Sequence, residues 1–289
     1  MIDLRPYAEA IDKQKLRVEG LVVLQHGEKI AEHRWVPEVP RNIFSVSKSF
    51  TSVAAGIAVD EGRLSLGSRV IDSFPVRDPS KRLSALTLEH LLTMTRGYRE
   101  FCRPRSVEEA LSQELTKDPG EVFLYDNACT FLVSAMVTRA MGVKVRDLLV
   151  ERLFRPLGIR DPVWPESDDG YTIGATALEL TAPDMAKFGQ FLLLRGNWEG
   201  KQIVSASWLE GAARAQVSTA AANPGRPDWD LGYGWQFWMC RHGAYRADGK
   251  DGQFIVVFPR QDAVAALTSN EENMGPILYA LWDYVLPQL

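Results

Sequence analysis

The sequence has little of several features that would indicate particular classes of protein. It has no excess of basic residues, because 33 Lys and Arg stand against 37 Asp and Glu, for a net charge of −4. This balance argues against a nucleic-acid partner. No apolar run is long enough to cross a bilayer, and the N-terminus lacks a basic region followed by an apolar one. We therefore expect a cytoplasmic protein without a membrane association.

Cysteine and histidine are also scarce. The chain has 3 cysteines, Cys102, Cys129 and Cys240, and 4 scattered histidines. The cysteines are odd in number and widely spaced, and none has a histidine at the spacing of a metal site. Free thiols are therefore expected, and the sequence implies neither a metal nor an organic cofactor.

What the chain does contain is typical of a globular protein with a large core. Its 289 residues are 46% hydrophobic and 24% charged. Strand-like runs lie at 18–35 and beyond 229, whereas the pattern between about 70 and 200 is helical. The sequence therefore predicts an α/β domain built from 1–44 and 203–289 and a mostly helical domain at 45–202. We expect an active site in the cleft between these domains.

The most informative motif is a serine followed three residues later by a lysine. Ser45 is predicted to be the first residue of a largely apolar helix, and Lys48 lies one turn further along the same face. A serine needs a base to become a nucleophile, and a lysine that loses its hydration becomes a better base because its pKa falls. The alternative is that Ser45 only caps the helix and that Lys48 is solvated.

Two further segments could complete a site. Tyr125 and Asn127 lie on a loop just before a helix, where a phenol could relay a proton and an amide could bind Lys48 or a substrate carbonyl. Further on, Asp248, Gly249 and Lys250 precede a strand in a glycine-bearing segment whose backbone N–H groups could approach a ligand. Each segment alone could equally be a helix start or a plain turn.

In order and spacing, the three motifs resemble the serine β-lactamase and penicillin-binding-protein superfamily. Within this superfamily, the sequence resembles the branch that contains class C β-lactamases, esterases and 6-aminohexanoate-dimer hydrolases. Flanking segments that share this resemblance are Leu88-x-x-Leu91-Leu92-Thr93, Pro119-Gly120, Pro156-Leu157-Gly158-Ile159, Asp184-Met185-Ala186-Lys187-Phe188-Gly189 and Gly232-Tyr233-Gly234-Trp235. The resemblance implies a β-lactamase/DD-peptidase-like fold of α and β type, with an antiparallel sheet flanked by helices and an inserted helical domain.

The resemblance also implies roles for individual residues. Ser45 would be the acylated nucleophile, Lys48 its base and Tyr125 the proton relay, while Asn127 would support Lys48 and the substrate. The oxyanion hole would be formed by the backbone N–H groups of Ser45 and Lys250.

Two departures from the superfamily pattern bear on the substrate. Where the relatives carry Lys-Thr-Gly or His-Thr-Gly, this chain has Ala247-Asp248-Gly249, so Asp248 would repel an anionic substrate unless Lys250 or Arg246 compensates. Met94 and Arg96 stand where many relatives carry His and Ser. Efficient β-lactamase activity is therefore not expected.

The sequence thus predicts a serine hydrolase of small carboxylic esters or linear amides that acts through an acyl-Ser45 intermediate. The alternatives are a D-amino-acid peptidase or weak β-lactamase, or a non-catalytic ligand-binding protein of the same fold. A small-molecule substrate is the only partner implied, and no oligomeric state is predicted. The aromatic residues near the third motif could line an acyl pocket or belong to the core: Trp229, Trp235, Trp238 and Tyr245.

Overall fold

The computed structural model describes residues 1–98, 102–160 and 162–289. Its strands are β1 Val18–Gln25, β2 Glu28–Arg34, β3 Arg41–Asn42, β4 Glu179–Leu180, β5 Asn197–Trp198, β6 Lys201–Gln202, β7 Trp238–Met239, β8 Tyr245–Gly249, β9 Gln253–Phe258 and β10 Ala263–Ser269. Its helices are α1 Arg5–Lys13, α2 Ser47–Asp60, α3 Val70–Ser73, α4 Lys81–Ala85, α5 Leu88–Leu92, α6 Val107–Ser112, α7 Asn127–Met141, α8 Val145–Leu149, α9 Ala182–Leu193, α10 Ala206–Ala212 and α11 Gly275–Ala280.

Both ends of the chain contribute to one antiparallel sheet. In the described residues this sheet has six strands in the order β2-β1-β10-β9-β8-β7. Every residue of β9 and β10 is buried, which explains why both read as continuous apolar runs. On one face α9 packs so closely that a Cβ on Gly189 would lie 2.4 Å from Val264 Cγ1. Elsewhere Trp282, just after α11, makes an edge contact with Phe258 of β9.

The helical part of the chain is built around α2 and α7, which pack against each other. Both helices are apolar on nearly every side, and residues 47–58 of α2 are all buried. Phe50 of α2 stacks on Phe188 of α9 with ring centres 3.7 Å apart, which ties this core to the sheet. No single described helix is long and apolar enough to cross a membrane, although the bent pair Asn127–Met141 and Val145–Phe154 passes by length and composition.

The local structure differs from the sequence-based expectation at two places. The helix predicted from Ser45 begins at Ser47, and Ser45 itself lies in a short 3₁₀ turn, Phe44–Val46. The alternating run predicted as a strand at 233–238 contributes only Trp238 to β7, because Gln236 has a left-handed backbone (φ 72°) that interrupts the extended chain. The domain division at residues 45 and 202 stays a prediction.

Candidate active site

Ser45 is held in a tight turn that its neighbours fix by hydrogen bonds. Phe44, directly before it, has φ 46°, a left-handed conformation that is unusual for an aromatic residue. The Phe44 N–H donates to Asn42 Oδ1 (2.8 Å), and Ser47 Oγ donates to the Phe44 carbonyl (2.6 Å). The Leu178 N–H in turn donates to Ser47 Oγ (3.2 Å). These bonds stabilise the unusual turn, and the side chain of Ser45 remains partly exposed in a cleft.

Lys48 lies directly behind Ser45 and is almost completely buried. Its Nζ is 2.9 Å from Ser45 Oγ, 2.6 Å from Asn127 Oδ1 and 2.7 Å from the carbonyl oxygen of Ala175. The amide and carbonyl oxygens can only accept hydrogen bonds. A neutral amine has two N–H donors and one lone pair. If it donates to Asn127 and Ala175, its lone pair is left for the Ser45 hydroxyl.

The surroundings of Lys48 favour this neutral form. Burial lowers the pKa of Lys48 from its ordinary value of 10.5 to about 7. The nearby charge of Asp126 opposes this shift and that of Arg103 adds to it. All the hydrogen-bond partners of Lys48 named above are uncharged, so none of them is a carboxylate that would hold the proton. Near neutral pH, a substantial fraction of Lys48 can therefore accept a proton from Ser45.

Tyr125 lies on the other side of the nucleophile. Its side chain hydrogen-bonds with Ser45, and its ring centre is 4.9 Å from Lys48 Nζ. The ring packs against Tyr233 and Trp238, with centres 6.0 and 5.5 Å apart. Burial raises the pKa of Tyr125 above its ordinary value, and the hydrogen bond with Ser45 only partly offsets this effect. The phenol therefore keeps its proton at neutral pH and can pass one on rather than act as a phenolate base.

The residue between Tyr125 and Asn127 anchors both of them. Asp126 caps α7 by accepting a hydrogen bond from the Ala128 N–H (3.1 Å), and it also accepts one from the Cys102 N–H (2.9 Å). Its other oxygen lies 2.8 Å from Nε of Arg96 in an ion pair that is almost fully buried. Arg96, which departs from the residue common in relatives, thus serves here to hold the Tyr125–Asn127 segment.

The third motif lies at the end of β8, beside the Ser45 turn. A Cβ on Gly249 would be 2.4 Å from the Ile43 carbonyl oxygen, so glycine lets the strand approach the chain that leads into Ser45. This approach brings Lys250 to the cleft that contains Ser45. Asp248 also lines this cleft, and its carboxylate forms an ion pair with the fully buried Arg246, with Oδ2 2.9 Å from Nε and 2.8 Å from Nη2.

These elements enclose a cleft of about 600 Å³. Of the residues predicted from the sequence, those that line it are Ser45, Tyr125, Asn127, Asp248 and Lys250, together with Trp229 and Trp238. The other two aromatic candidates belong to the core, because Trp235 packs on Trp208 with ring centres 4.7 Å apart and Tyr245 packs on Phe237. Among the described residues, no group of three His, Cys, Asp or Glu is arranged to hold a metal ion.

Some parts of the site were not identified from the sequence. The carbonyl of Ala175 orients Lys48, and a backbone carbonyl has no side-chain signature. Asn42 and Ser47 fix the Ser45 turn, and Arg103 and Arg226 line the cleft. The arginines are exposed loop residues, which the sequence does not distinguish from other surface charges.

The sequence is similar to a known protein family and to individual hydrolases. The sequence profile of the Beta-lactamase family matches residues 8–288. The chain is 23% identical over 283 residues to the 6-aminohexanoate-dimer hydrolase of Paenarthrobacter ureafaciens, with 87% of this chain and 72% of that protein covered. It is 28% identical over 194 residues to a beta-lactamase of Escherichia coli strain K12, with 59% of this chain and 50% of that protein covered.

Solved structures show the same fold at low sequence identity. The octameric penicillin-binding protein homologue from Pyrococcus abyssi superposes with a TM-score of 0.79 at 19% identity, covering 97% of this chain and 75% of that one. EstCE1, a hydrolase with promiscuous acyltransferase activity, superposes with a TM-score of 0.74 at 17% identity, covering 96% of both chains. The predicted fold, with its antiparallel sheet and flanking helices, is confirmed.

Proposed function

The chain belongs to the Beta-lactamase family, and from this premise we propose that it is a serine hydrolase of small carboxylic esters or linear amides that acts through an acyl-Ser45 intermediate. The observation that carries the proposal is the contact between Ser45 Oγ and Lys48 Nζ at 2.9 Å, with the pKa of Lys48 lowered to about 7 by burial. A nucleophile in contact with a base that titrates near neutral pH is what acyl transfer requires.

In the proposed acylation step, neutral Lys48 takes the proton of the Ser45 hydroxyl as Oγ attacks the substrate carbonyl carbon. The bond between Oγ and carbon forms, and the carbonyl oxygen becomes an oxyanion. The backbone N–H groups of Ser45 and Lys250 would stabilise this oxyanion. Asn127 supports the step by keeping Lys48 Nζ beside Ser45.

The second half of the cycle needs a proton at the leaving group and then a water molecule. Tyr125 hydrogen-bonds with Ser45 and retains its proton, so it is placed to protonate the departing oxygen or nitrogen and to recover a proton from Lys48. Water then attacks the acyl-Ser45 carbonyl while neutral Lys48 takes its proton, and this proton passes to Ser45 Oγ as the bond between Oγ and the acyl carbon breaks. The products are a carboxylic acid and an alcohol or amine.

Two observations bear on the substrate range. One relative is named as a 6-aminohexanoate-dimer hydrolase, and a structural neighbour is described as a hydrolase with acyltransferase activity. These names support a hydrolase whose substrates are not limited to β-lactams. Asp248, paired with Arg246, stands where the lactam-cleaving relatives place a hydroxyl next to a cation. We therefore propose that β-lactams are poor substrates.

The test is a burst assay with p-nitrophenyl butyrate, combined with intact-protein mass spectrometry on the wild type and Ser45→Ala. The matched control is Ser49→Ala in the adjoining helix α2, which removes a buried hydroxyl that donates to the Gln236 carbonyl and does not line the cleft. We expect a burst and a butyryl adduct in the wild type and in Ser49→Ala, and neither in Ser45→Ala. Nitrocefin, run in parallel, should be turned over far more slowly than the ester.

The opposite outcomes are equally clear. An absence of both burst and adduct in folded wild-type protein would contradict the mechanism and favour a ligand-binding protein on this fold. Rapid hydrolysis of nitrocefin at a rate similar to the ester would contradict the proposed substrate range. A burst that persists in Ser45→Ala would place the nucleophile elsewhere.

A further inference from the structure

The segment 172–175 is hydrogen-bonded to both of the helices that carry the candidate active site. On α2, the Thr51 hydroxyl donates to the Gly174 carbonyl (2.9 Å), and on α7 the Ser134 hydroxyl donates to the Thr172 carbonyl (2.7 Å). Both hydroxyl-bearing side chains are fully buried. Since α2 and α7 pack against each other, the two hydrogen bonds hold the segment against both helices at once.

The two hydroxyl groups come from the helix faces that also carry the polar groups of the site. Thr51 is three residues after Lys48 on α2, and Ser134 is seven residues after Asn127 on α7. Residues three or seven apart lie on the same side of a helix. Each helix therefore contributes one residue to the site and one residue that holds the segment. At the end of this segment, the Ala175 carbonyl oxygen lies 2.7 Å from the lysine Nζ.

The backbone at Gly174 fits closely between the two helices. It has φ 69°, and a Cβ at this position would lie 2.7 Å from Ser134 Cβ and 3.2 Å from Thr51 Oγ1. Only glycine combines this conformation with such a close approach. At the start of the segment, the Arg146 N–H donates to Thr172 Oγ1 (3.1 Å). The segment therefore has little room to shift while the two helix hydroxyls hold it.

The position of the Ala175 carbonyl decides where the lone pair of Lys48 points. The neutral amine has two N–H donors, and the Ala175 and Asn127 oxygens can only accept. The Ser45 hydroxyl can either donate or accept. With both acceptors in place, the lone pair is left for the serine proton. If the Ala175 carbonyl moved away, one N–H would instead donate to the serine oxygen, which is the wrong direction for a base.

We propose that Thr51 and Ser134 are positioning residues that act through the Ala175 carbonyl. By holding the segment 172–175 against α2 and α7, their hydroxyls keep this carbonyl on Lys48, so that the lone pair of the neutral amine faces the nucleophile. Neither is among the described residues that line the cleft, so neither touches the substrate. The inference rests on the proposed function, because it concerns the action of the lysine as a base.

The same contact bears on the proton affinity of Lys48. A carbonyl oxygen stabilises an ammonium more than a neutral amine, so loss of the Ala175 contact should lower the pKa of Lys48 further. The titratable and charged groups that also face this lysine are Tyr125, Asp126 and Cys129 around the start of α7, Arg103, and Asp248 of β8. Replacing an uncharged hydroxyl changes none of these charges, so a shift in the pKa would report on the carbonyl.

The experiment measures kcat/KM for p-nitrophenyl butyrate as a function of pH. The variants are Thr51→Val and Ser134→Ala, which remove the hydroxyls, and Thr51→Ser, which keeps one. The matched control is Ser52→Ala, at the next position of α2. The Ser52 side chain is fully buried, and no described group forms a hydrogen bond with its hydroxyl. Urea unfolding checks that each variant is folded.

We expect Thr51→Val to lower the plateau of kcat/KM roughly 10- to 100-fold, a part of what general-base catalysis contributes. The rise in kcat/KM should also move to lower pH. Ser134→Ala should act in the same direction but less, because it holds a carbonyl further from Ala175. Thr51→Ser and Ser52→Ala should keep the wild-type rate and profile. An unchanged rate in Thr51→Val, or a lower rate with an unshifted profile, would overturn the proposal.

A measurement without any substrate separates this inference from the proposed reaction. The pKa of Lys48 is followed by NMR of isotope-labelled lysine side chains, and its signal is assigned by its absence in Lys48→Arg. A lower pKa in Thr51→Val and not in Thr51→Ser would support the positioning role even if no ester were hydrolysed. An unchanged pKa, or a rise toward the ordinary value as water replaces the carbonyl, would overturn the role even if an ester acylated Ser45.

Discussion

Two buried cations lie behind residues that line the cleft, Lys48 behind Ser45 and Arg246 behind Asp248, and their surroundings differ. Lys48, on α2, has neutral hydrogen-bond partners, so burial lowers its pKa to about 7. Arg246, on β8, contacts the carboxylate of Asp248, and although burial alone would lower its pKa, its interactions with Cys240 and Asp248 raise that pKa. Both are cut off from water, but only Lys48 can release its proton near neutral pH.

The difference has two sources: a guanidinium does not deprotonate in a protein, whereas an amine does when burial beside neutral acceptors lowers its pKa. A carboxylate partner holds the charge in place and makes the cation part of the scaffold. Neutral acceptors satisfy the hydrogen bonds without stabilising the charge as strongly, and the cation becomes a base. Each substitution that follows changes either the ability of the cation to lose its proton or the charge close to it.

The largest effect is expected when Lys48 is replaced by a cation that cannot act as a base. Lys48→Arg keeps the positive charge, but a guanidinium does not deprotonate in a protein. We expect kcat/KM for p-nitrophenyl butyrate to fall by roughly 10³-fold or more, within the range attributed to general-base catalysis. Lys48→Ala serves as the control and should be similarly inactive. An arginine variant that keeps a tenth of the wild-type activity would show that deprotonation of Lys48 is not required.

The next largest effect concerns the ion pair of Arg246 with Asp248 and appears in the free energy of unfolding. Arg246→Met leaves Asp248 buried without its partner, which typically costs about 3–5 kcal/mol in the free energy of unfolding. The double variant Arg246→Met with Asp248→Leu removes both charges and should recover much of this loss. Urea unfolding at pH 7 measures both. If the double variant is no more stable than the single one, the ion pair is not what makes Arg246 necessary.

Much of the fold, and the residues of the candidate site, could be predicted from the sequence. The spacing of Ser45 and Lys48 on an apolar helix places them on one face, and the chemistry of their side chains suggests a nucleophile and a base. The turn at Phe44 was not predictable in the same way, because its left-handed backbone is stabilised by Asn42 and Ser47 rather than by its own sequence preference. The helix was therefore expected to begin two residues too early.

The sequence analysis named Arg246 only as one of two cations that could compensate Asp248, although the spacing of the two residues carried a more specific signal. Residues two apart on a strand point to the same face, so recognition of β8 as a strand would have brought the two charges together. The segment was instead read as a glycine- and aspartate-rich approach to the next strand. The carbonyl of Ala175 had no such signal, because its contact with Lys48 depends on how a distant loop folds.

A smaller effect is expected on the pH dependence of the reaction. Because neutral Lys48 is the active form, kcat/KM should rise as the pH increases through about 7. The charge of Asp126 raises the pKa of Lys48, so Asp126→Asn should move this rise to lower pH. The double variant Asp126→Asn with Arg96→Gln, which leaves no unpaired cation, should show the same direction of shift. A shift to higher pH in both variants would contradict this assignment.

The smallest effect has the opposite sign and so tests the same electrostatic argument independently. Arg103 lowers the pKa of Lys48 from an exposed position at the cleft. Arg103→Gln should therefore move the rise in kcat/KM to higher pH, and this shift should be smaller than that of Asp126→Asn because solvent screens an exposed charge. Arg63→Gln removes the same charge elsewhere and should leave the profile in place. If both variants shift the profile equally, the overall charge of the protein rather than the nearby charge of Arg103 affects the pKa of Lys48. Burial alone would then explain why the pKa of Lys48 is low.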